Sequence, residues 1–173
     1  MSALNRVGSE RVAAAAPVDV KKVQGRRKLR FDSLDDLLAD AESLAASPST
    51  RTLGNWRLGQ LLAHLSIAIN GSIDGIAFKA PWPVRLIGPL FKNRVLTRGT
   101  SPGFKLPVKA ESALFPAAGT TSEALGDLRK AVGRLRTEKA TAVHPVLGRL
   151  THEEWIQLHL RHAEMHLSFA VPE

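Results

Sequence analysis

The sequence predicts an all-α fold, a four-helix bundle with a long crossover connection between helices two and three. Four segments repeat their apolar residues at helical spacing, no segment alternates convincingly as a strand would, and proline is concentrated in the middle of the chain. At 173 residues the chain has the size of one ordinary domain. We therefore expect residues 30–173 to form the bundle, and residues 1–29, which are basic and lack a clear period, to form a flexible arm.

The first two helices carry leucines along one face. Helix one, in FDSLDDLLADAESLA, is expected to begin behind Asp32 or Ser33 as its N-cap and to end before Pro48. Helix two lies within NWRLGQLLAHLSIAINGSIDGI and has His64 among its leucines. A histidine in such an apolar stripe needs either a hydrogen-bond partner or a cation.

Residues 79–118 form the long connection, whose six prolines and three glycines exclude a long helix and allow short helical pieces. A connection of this length in a small domain usually covers something or carries function. The sequence leaves open whether the connection closes over a site as a lid. Trp82, which stands between two prolines, is its candidate for a pocket wall, lid or substrate contact.

Helices three and four each begin with a capping-box motif. Thr120 and Glu123 open the segment TTSEALGDLRKAVGRLRTEK, and Thr151 and Glu154 open the segment that runs to about Phe169. The motifs fix where both helices begin.

Helix four places His159, His162 and His166 on one narrow face. His162 and His166 are one turn apart, the spacing at which two imidazoles can reach a common metal at about 2.0–2.1 Å. With His64 from a facing helix they would form a three-histidine site with a position left for water or substrate. The alternative is that they are hydrogen-bonded core residues, as single histidines on apolar faces usually are.

The other histidines and the carboxylate of Glu164 are not expected to bind the metal directly. His159 is expected in the second shell of the metal, as a substrate contact or in the core, rather than as a ligand. His144 is expected to cap backbone and His152 to face solvent. Glu164 lies about half a turn away from the histidine pair, so no carboxylate is placed to act as a general base.

Composition excludes several classes of function. The chain has no cysteine, so a metal site would need His, Asp or Glu ligands. The net charge of +8 favours anionic partners, but no nucleic-acid-reading motif is recognisable, so nucleic acid is not expected. No apolar segment of about 18 residues and no signal core exist, so we expect a cytoplasmic protein without a membrane partner.

Three segments resemble the DinB-like (damage-inducible) superfamily of metal-binding four-helix bundles, in a branch of unassigned function. They are RRKLRFDSLDDLLADAESL, WRLGQLLAHLS and HPVLGRLTHEEWIQLHLRHAEMHL, which together span residues 26–170. The resemblance implies that His64, His162 and His166 bind a divalent cation, commonly zinc or nickel, with water completing the shell. The branch tends to carry a glutamine soon after the last histidine, where this chain has Ser168 and Phe169.

Characterised DinB-like proteins include thiol-dependent S-transferases and maleylpyruvate isomerases, so the resemblance implies activation of a low-molecular-weight thiol. The leading hypothesis is a metal-dependent transferase, ahead of a hydrolase or an isomerase, acting on a small anionic substrate. The connection would attract such a substrate through Lys79, Arg85, Lys92, Arg94 and Arg98.

Two further hypotheses remain open. In one, a non-catalytic bundle with a structural metal or none binds a protein or a second copy of itself as a homodimer. In the other, the basic arm binds nucleic acid.

Overall fold

The structure is a computed structural model that describes residues 17–76, 79–103 and 119–173. These residues are mostly helical, in agreement with the predicted class, and they include two small antiparallel sheets. A 3₁₀ turn, Gly88–Phe91, separates the third and fourth helices. The helices are α1 (Leu34–Ala46), α2 (Leu58–Asp74), α3 (Trp82–Ile87), α4 (Lys92–Arg98), α5 (Thr121–Thr137) and α6 (His152–Leu167).

Capping boxes set the beginnings of three helices as predicted. The hydroxyls of Ser33, Thr120 and Thr151 each accept a hydrogen bond from a backbone N–H of the first turn. An acidic side chain in that turn accepts the N-cap N–H in return, so two otherwise unpaired donors are satisfied at each helix. α1 ends at Ala46 because the residue before Pro48 adopts the extended conformation that proline favours.

The strands are absent from the sequence-based prediction. β1 (Thr50–Thr52) pairs with β4 (Ala170–Pro172), and β2 (Val143–His144) pairs with β3 (Gly148–Arg149). Segments of two or three residues are too short to show an alternating period. The β1–β4 pair nevertheless matters, because it joins the residues before α2 to the C-terminal end of α6.

The core lies where α2 packs along α5 and where α6 contacts α1, α2 and α4. This packing is compatible with the predicted bundle. Fully buried aliphatic side chains fill the interior, and the largest are Leu37, Leu44, Leu62, Leu65, Ile69, Leu128, Leu135 and Leu167.

The connection forms the predicted short helical pieces between residues 82 and 98. Its remainder, from 104 to 118, lies outside the described residues, so the question of a lid stays open. Within the part of the chain that the structure describes, no helix combines the length and the hydropathy needed to cross a bilayer.

The end of the basic arm contacts the helices. Arg27 forms a two-pronged ion pair with Asp40 of α1, with both N···O distances at 2.7 Å, and its Nε donates to the carbonyl of Ala170. Residues 1–16 lie outside the described residues, so the flexibility of the arm as a whole stays a prediction.

Candidate metal centre

Three histidines from two helices meet between α2 and α6. His64 lies near the middle of α2, and His162 and His166 lie in the last two turns of α6. The Nε2 atom of His162 is 3.2 Å from Nε2 of His64 and 3.0 Å from Nε2 of His166. One ring nitrogen from each residue lies within 4.8 Å of the other two. The structure therefore brings together the three residues that the sequence selects.

The nitrogen separations fit a shared cation. Two nitrogens at 2.0–2.1 Å from one ion lie about 3.4 Å apart at the tetrahedral angle and about 2.9 Å apart at a right angle. The two shorter separations, 3.0 and 3.2 Å, fall between those limits. Three imidazoles without a thiolate suit zinc, nickel, copper or iron rather than calcium or magnesium.

The surroundings keep His162 and His166 neutral. Burial, together with the nearby His64 and Arg26, lowers the pKa of His166 to about 3. Burial also holds the pKa of His162 well below its usual value, with His166 and His64 adding to the effect. Imidazole binds a metal in its neutral form, so these two residues need not lose a proton to bind one at neutral pH.

The Nε2 atoms of the three histidines are too close for lone pairs to face each other across the short contacts. Each short N···N contact needs either a proton between the two nitrogens or a cation in the space that they share. The cluster is therefore either a hydrogen-bonded triad or a metal centre.

Trp56 forms one side of the cluster and is the residue that sequence reasoning missed. Its ring is stacked on His166, with a centroid distance of 5.5 Å and an interplanar angle of 4°, and is tilted against His64 at 4.9 Å. Helical spacing could not show this, because Trp56 precedes α2. The β1–β4 pair and the close contact of Gly54 with Phe169 bring the loop of Trp56 to the end of α6.

A family model described as "Protein of unknown function (DUF1569)" matches residues 23–173, a range that includes all three histidines. The chain belongs to the DUF1569 family. No curated protein and no solved structure matches the chain.

His159 lies apart from the three-histidine cluster in this DUF1569 protein. It is 4% exposed, and its Nε2 lies 3.0 Å from the hydroxyl oxygen of Ser72. The Ser72 hydroxyl donates its proton to the carbonyl of Ile69, so it can only accept from His159. Nε2 of His159 therefore carries a hydrogen and has no lone pair for a metal. Its ring is stacked on Trp155, and burial lowers its pKa to about 3.

The remaining predicted residues have separate positions. Trp82 lies on α3 and is 74% exposed, so its role as a substrate contact stays a prediction. Nδ1 of His144 accepts two backbone N–H groups, which confirms its capping role. The solvent-facing position predicted for His152 is wrong, because the residue is partly buried and its Nδ1 accepts the N–H of Ala140.

Glu164 is turned away from the three histidines, as predicted. Its carboxylate accepts the backbone N–H of Phe31 at 2.6 Å and pairs with Arg161 at 2.9 Å. Burial raises the pKa of this carboxyl group. The bond to Phe31 ties α6 to the residues before α1, whereas the pair with Arg161 lies within α6. With both interactions made, Glu164 is not available as a base at the cluster.

Arg26 is a fixed cation beside His166. Its guanidinium donates to the hydroxyl of Ser168 and to the carbonyl of Met165, and it lies 4.2 Å over the ring of Phe169. Ser168 and Phe169 are the residues at which the sequence departs from the glutamine expected from the resemblance. In the DUF1569 chain they hold an arginine at the rim of the cluster.

Proposed function

We propose that the protein is a divalent-metal-dependent enzyme and that His64, His162 and His166 bind its zinc or nickel ion. The observation that carries the proposal is the convergence of three histidine ring nitrogens from two helices, with Nε2 of His162 at distances from the other two that suit a common ion. The finer fold assignment, a DinB-like four-helix bundle, belongs to the same proposal. The packing of α2 on α5 and of α6 on α1 and α2 supports that assignment, as does the order of the three resembling segments.

Within the described ranges the candidate ligands number three, which supports a catalytic rather than a structural ion. Structural zinc sites are usually closed by four protein ligands, whereas catalytic sites have three and leave one position for water or substrate. His162 and His166 are only partly buried, so the cluster is not sealed from solvent. An exchangeable position next to these two residues is what a reacting ligand requires.

We further propose thiol transfer as the reaction. A divalent cation in this place would supply Lewis-acid activation, which lowers the pKa of a bound thiol or water. The thiol sulfur would form a bond to an electrophilic carbon while the bond from that carbon to its leaving group breaks, and the leaving group would depart with the electron pair. The thiol proton would pass to solvent, since Glu164 is engaged elsewhere. Trp56 would exclude water from one side of the reacting atoms, and the charge of Arg26 would favour an anionic thiol or substrate.

One observation favours a second function. Separations of 3.0 and 3.2 Å are also hydrogen-bond distances, so the histidines could form a proton-linked triad without metal. The protein would then be a non-catalytic helical module that binds a protein or a second copy of itself. Such a triad would stabilise the α2–α6 contact without providing chemistry.

The test is a transfer assay on tag-free protein loaded with zinc or nickel. A low-molecular-weight thiol and a chromogenic electrophile are supplied, and the initial rate is measured before and after chelation and after metal is restored. We expect a rate that chelation abolishes and metal restores, and that His64→Ala abolishes. His152→Ala is the matched control, because it removes a histidine of α6 outside the cluster, and it should retain the rate.

Two results would contradict the proposal in distinguishable ways. Stoichiometric metal without transfer to any electrophile would indicate a structural ion. No metal after reconstitution would indicate the hydrogen-bonded triad.

A further inference from the structure

Six large apolar side chains within residues 82–91 are exposed. Trp82 is 74% exposed, Leu86 70% and Leu90 81%, so these side chains protrude from the surface. We call the set the apolar ridge; its members are Trp82, Val84, Leu86, Ile87, Leu90 and Phe91. Elsewhere in the described ranges the exposed large apolar residues are Val18 and Val143, so the exposure is concentrated in one segment.

The rear of this segment is firmly attached to the rest of the protein. Gly88 is buried, and a Cβ atom there would overlap the carbonyl oxygen of Val146. Leu96 of α4 is 6% exposed, and the ammonium group of Lys92 lies 2.6 Å from the carboxylate of Glu154 on α6. The ridge is therefore exposed on one side of a segment whose other side is packed against the protein.

The segment that carries the ridge is positively charged. Residues 79–98 contain five Lys or Arg residues and no acidic residue. Arg85, Arg94 and Arg98 are exposed, whereas Lys92 pairs with Glu154. Large apolar side chains, including tryptophan, together with nearby cations are typical of segments that lie in the interface of a membrane.

The charge decides between the candidate occupants. Two copies that met ridge to ridge would bring their arginines together with no acidic residue of the segment to pair them. A fluid lipid surface accepts separate protruding side chains without matching their shape, and its anionic headgroups attract cations. A lipid surface can therefore accommodate the protruding apolar side chains and also attract the positive charge.

We propose that the apolar ridge and its arginines bind the surface of an anionic lipid bilayer, with Trp82, Leu86 and Leu90 entering the interfacial layer. The sequence-based expectation of no membrane partner rested on the lack of a spanning segment, which surface binding does not require. The inference is independent of the metal centre. Binding through the ridge would hold the metal centre at the membrane, because α4 packs on α6, the helix that carries His162 and His166.

The experiment is vesicle sedimentation with the full-length protein. Vesicles of phosphatidylcholine alone are compared with vesicles that also contain phosphatidylglycerol, over a range of salt concentrations. We expect binding to the anionic vesicles that weakens with salt. Trp82→Ala/Leu90→Ala should weaken it at least about tenfold, because two of the most exposed apolar side chains no longer enter the interface.

Two further variants separate charge from apolar contact. Arg85→Gln/Arg94→Gln should weaken binding and reduce its dependence on salt. Val143→Ala removes an exposed apolar side chain outside the ridge, and Arg129→Gln/Lys130→Gln removes two exposed charges of α5. Both controls should bind like the wild type. All of the changes lie on the surface, and unchanged thermal unfolding shows that each variant is folded.

Three outcomes would overturn the inference. The first is a wild-type protein that does not bind anionic vesicles even at low salt, and the second is binding that Trp82→Ala/Leu90→Ala leaves unchanged. The third is a wild-type dimer in solution that this variant dissociates, which would assign the ridge to a second copy of the chain.

Discussion

Replacing Ser72 by alanine tests the separation of His159 from the three-histidine cluster. Ser72 is fully buried on α2, and its hydroxyl is the acceptor for the Nε2–H of His159. Alanine removes this acceptor and leaves a buried N–H without a partner. Ser72→Ala therefore lowers the free energy of unfolding. It leaves the net charge of the site unchanged, because the imidazole remains neutral.

The magnitude follows from the burial of both groups. A buried donor that loses its partner costs about 1–3 kcal/mol of unfolding free energy. For a chain of this size, 1 kcal/mol lowers the melting temperature by about 2–4 °C. The carbonyl of Ile69 also loses the hydrogen bond from the serine hydroxyl. This loss matters less, because a carbonyl inside a helix accepts a backbone N–H as well. We therefore expect Ser72→Ala to melt about 2–12 °C below the wild type.

The assay is thermal and chemical denaturation of four proteins, the wild type and three variants, with their metal content measured in parallel. Ser66→Ala is the control, because Ser66 is a buried serine of the same helix. Ser72→Ala/His159→Leu should recover part of the lost stability, since both polar partners are then absent. All four proteins should bind the same amount of metal. Unchanged stability of Ser72→Ala, or loss of metal from the His159 variant, would refute the assignment.

Three further predictions concern the surroundings of the site. Burial lowers the pKa of His144 to about 4, so its neutral form stabilises the fold above pH 6.5 and this contribution is lost as the pH falls from 6.5 to about 4. His144→Asn keeps a hydrogen-bond acceptor and should reduce the fall in unfolding free energy over that range by up to about 1.4 kcal/mol per pH unit; equal slopes in urea denaturation would count against it. Gly88→Ala should destabilise the protein by about 1–3 kcal/mol, because the methyl group meets the carbonyl of Val146; a stability equal to that of the wild type would show that the turn can shift. Nickel binding should quench the fluorescence of Trp56, whose ring is stacked on His166, and Trp56→Phe should lose the quenching; if it persists, the ion binds elsewhere.

Features that depend on neighbours in sequence could be predicted. The N-caps Ser33, Thr120 and Thr151 are recognisable because each is paired with an acidic residue three positions later. The spacing of His162 and His166 places both on one face of α6, and leucine periodicity places His64 on the buried face of α2. Two helices with inward-facing histidines can therefore be identified before any packing is known.

Features that depend on distant segments could not be predicted. Trp56 reaches His166 only because β1 pairs with β4, and strands of three residues have no recognisable period. Arg26 lies at the cluster through contacts with Ser168 and Phe169, although the sequence places it in a basic arm. The sequence likewise shows that residues 82–91 are apolar, but only packing shows that they remain exposed.

Metal content measured by elemental analysis of tag-free protein, beside His64→Ala, tests the central claim most directly. The account predicts about one zinc or nickel ion per wild-type chain and almost none in the variant, because two histidines of a single helix bind a cation much more weakly than three. The variant should keep its helical content, so that the loss of metal reports on the site alone. A wild-type protein that binds no ion after reconstitution, or a variant that binds as much as the wild type, would contradict the account.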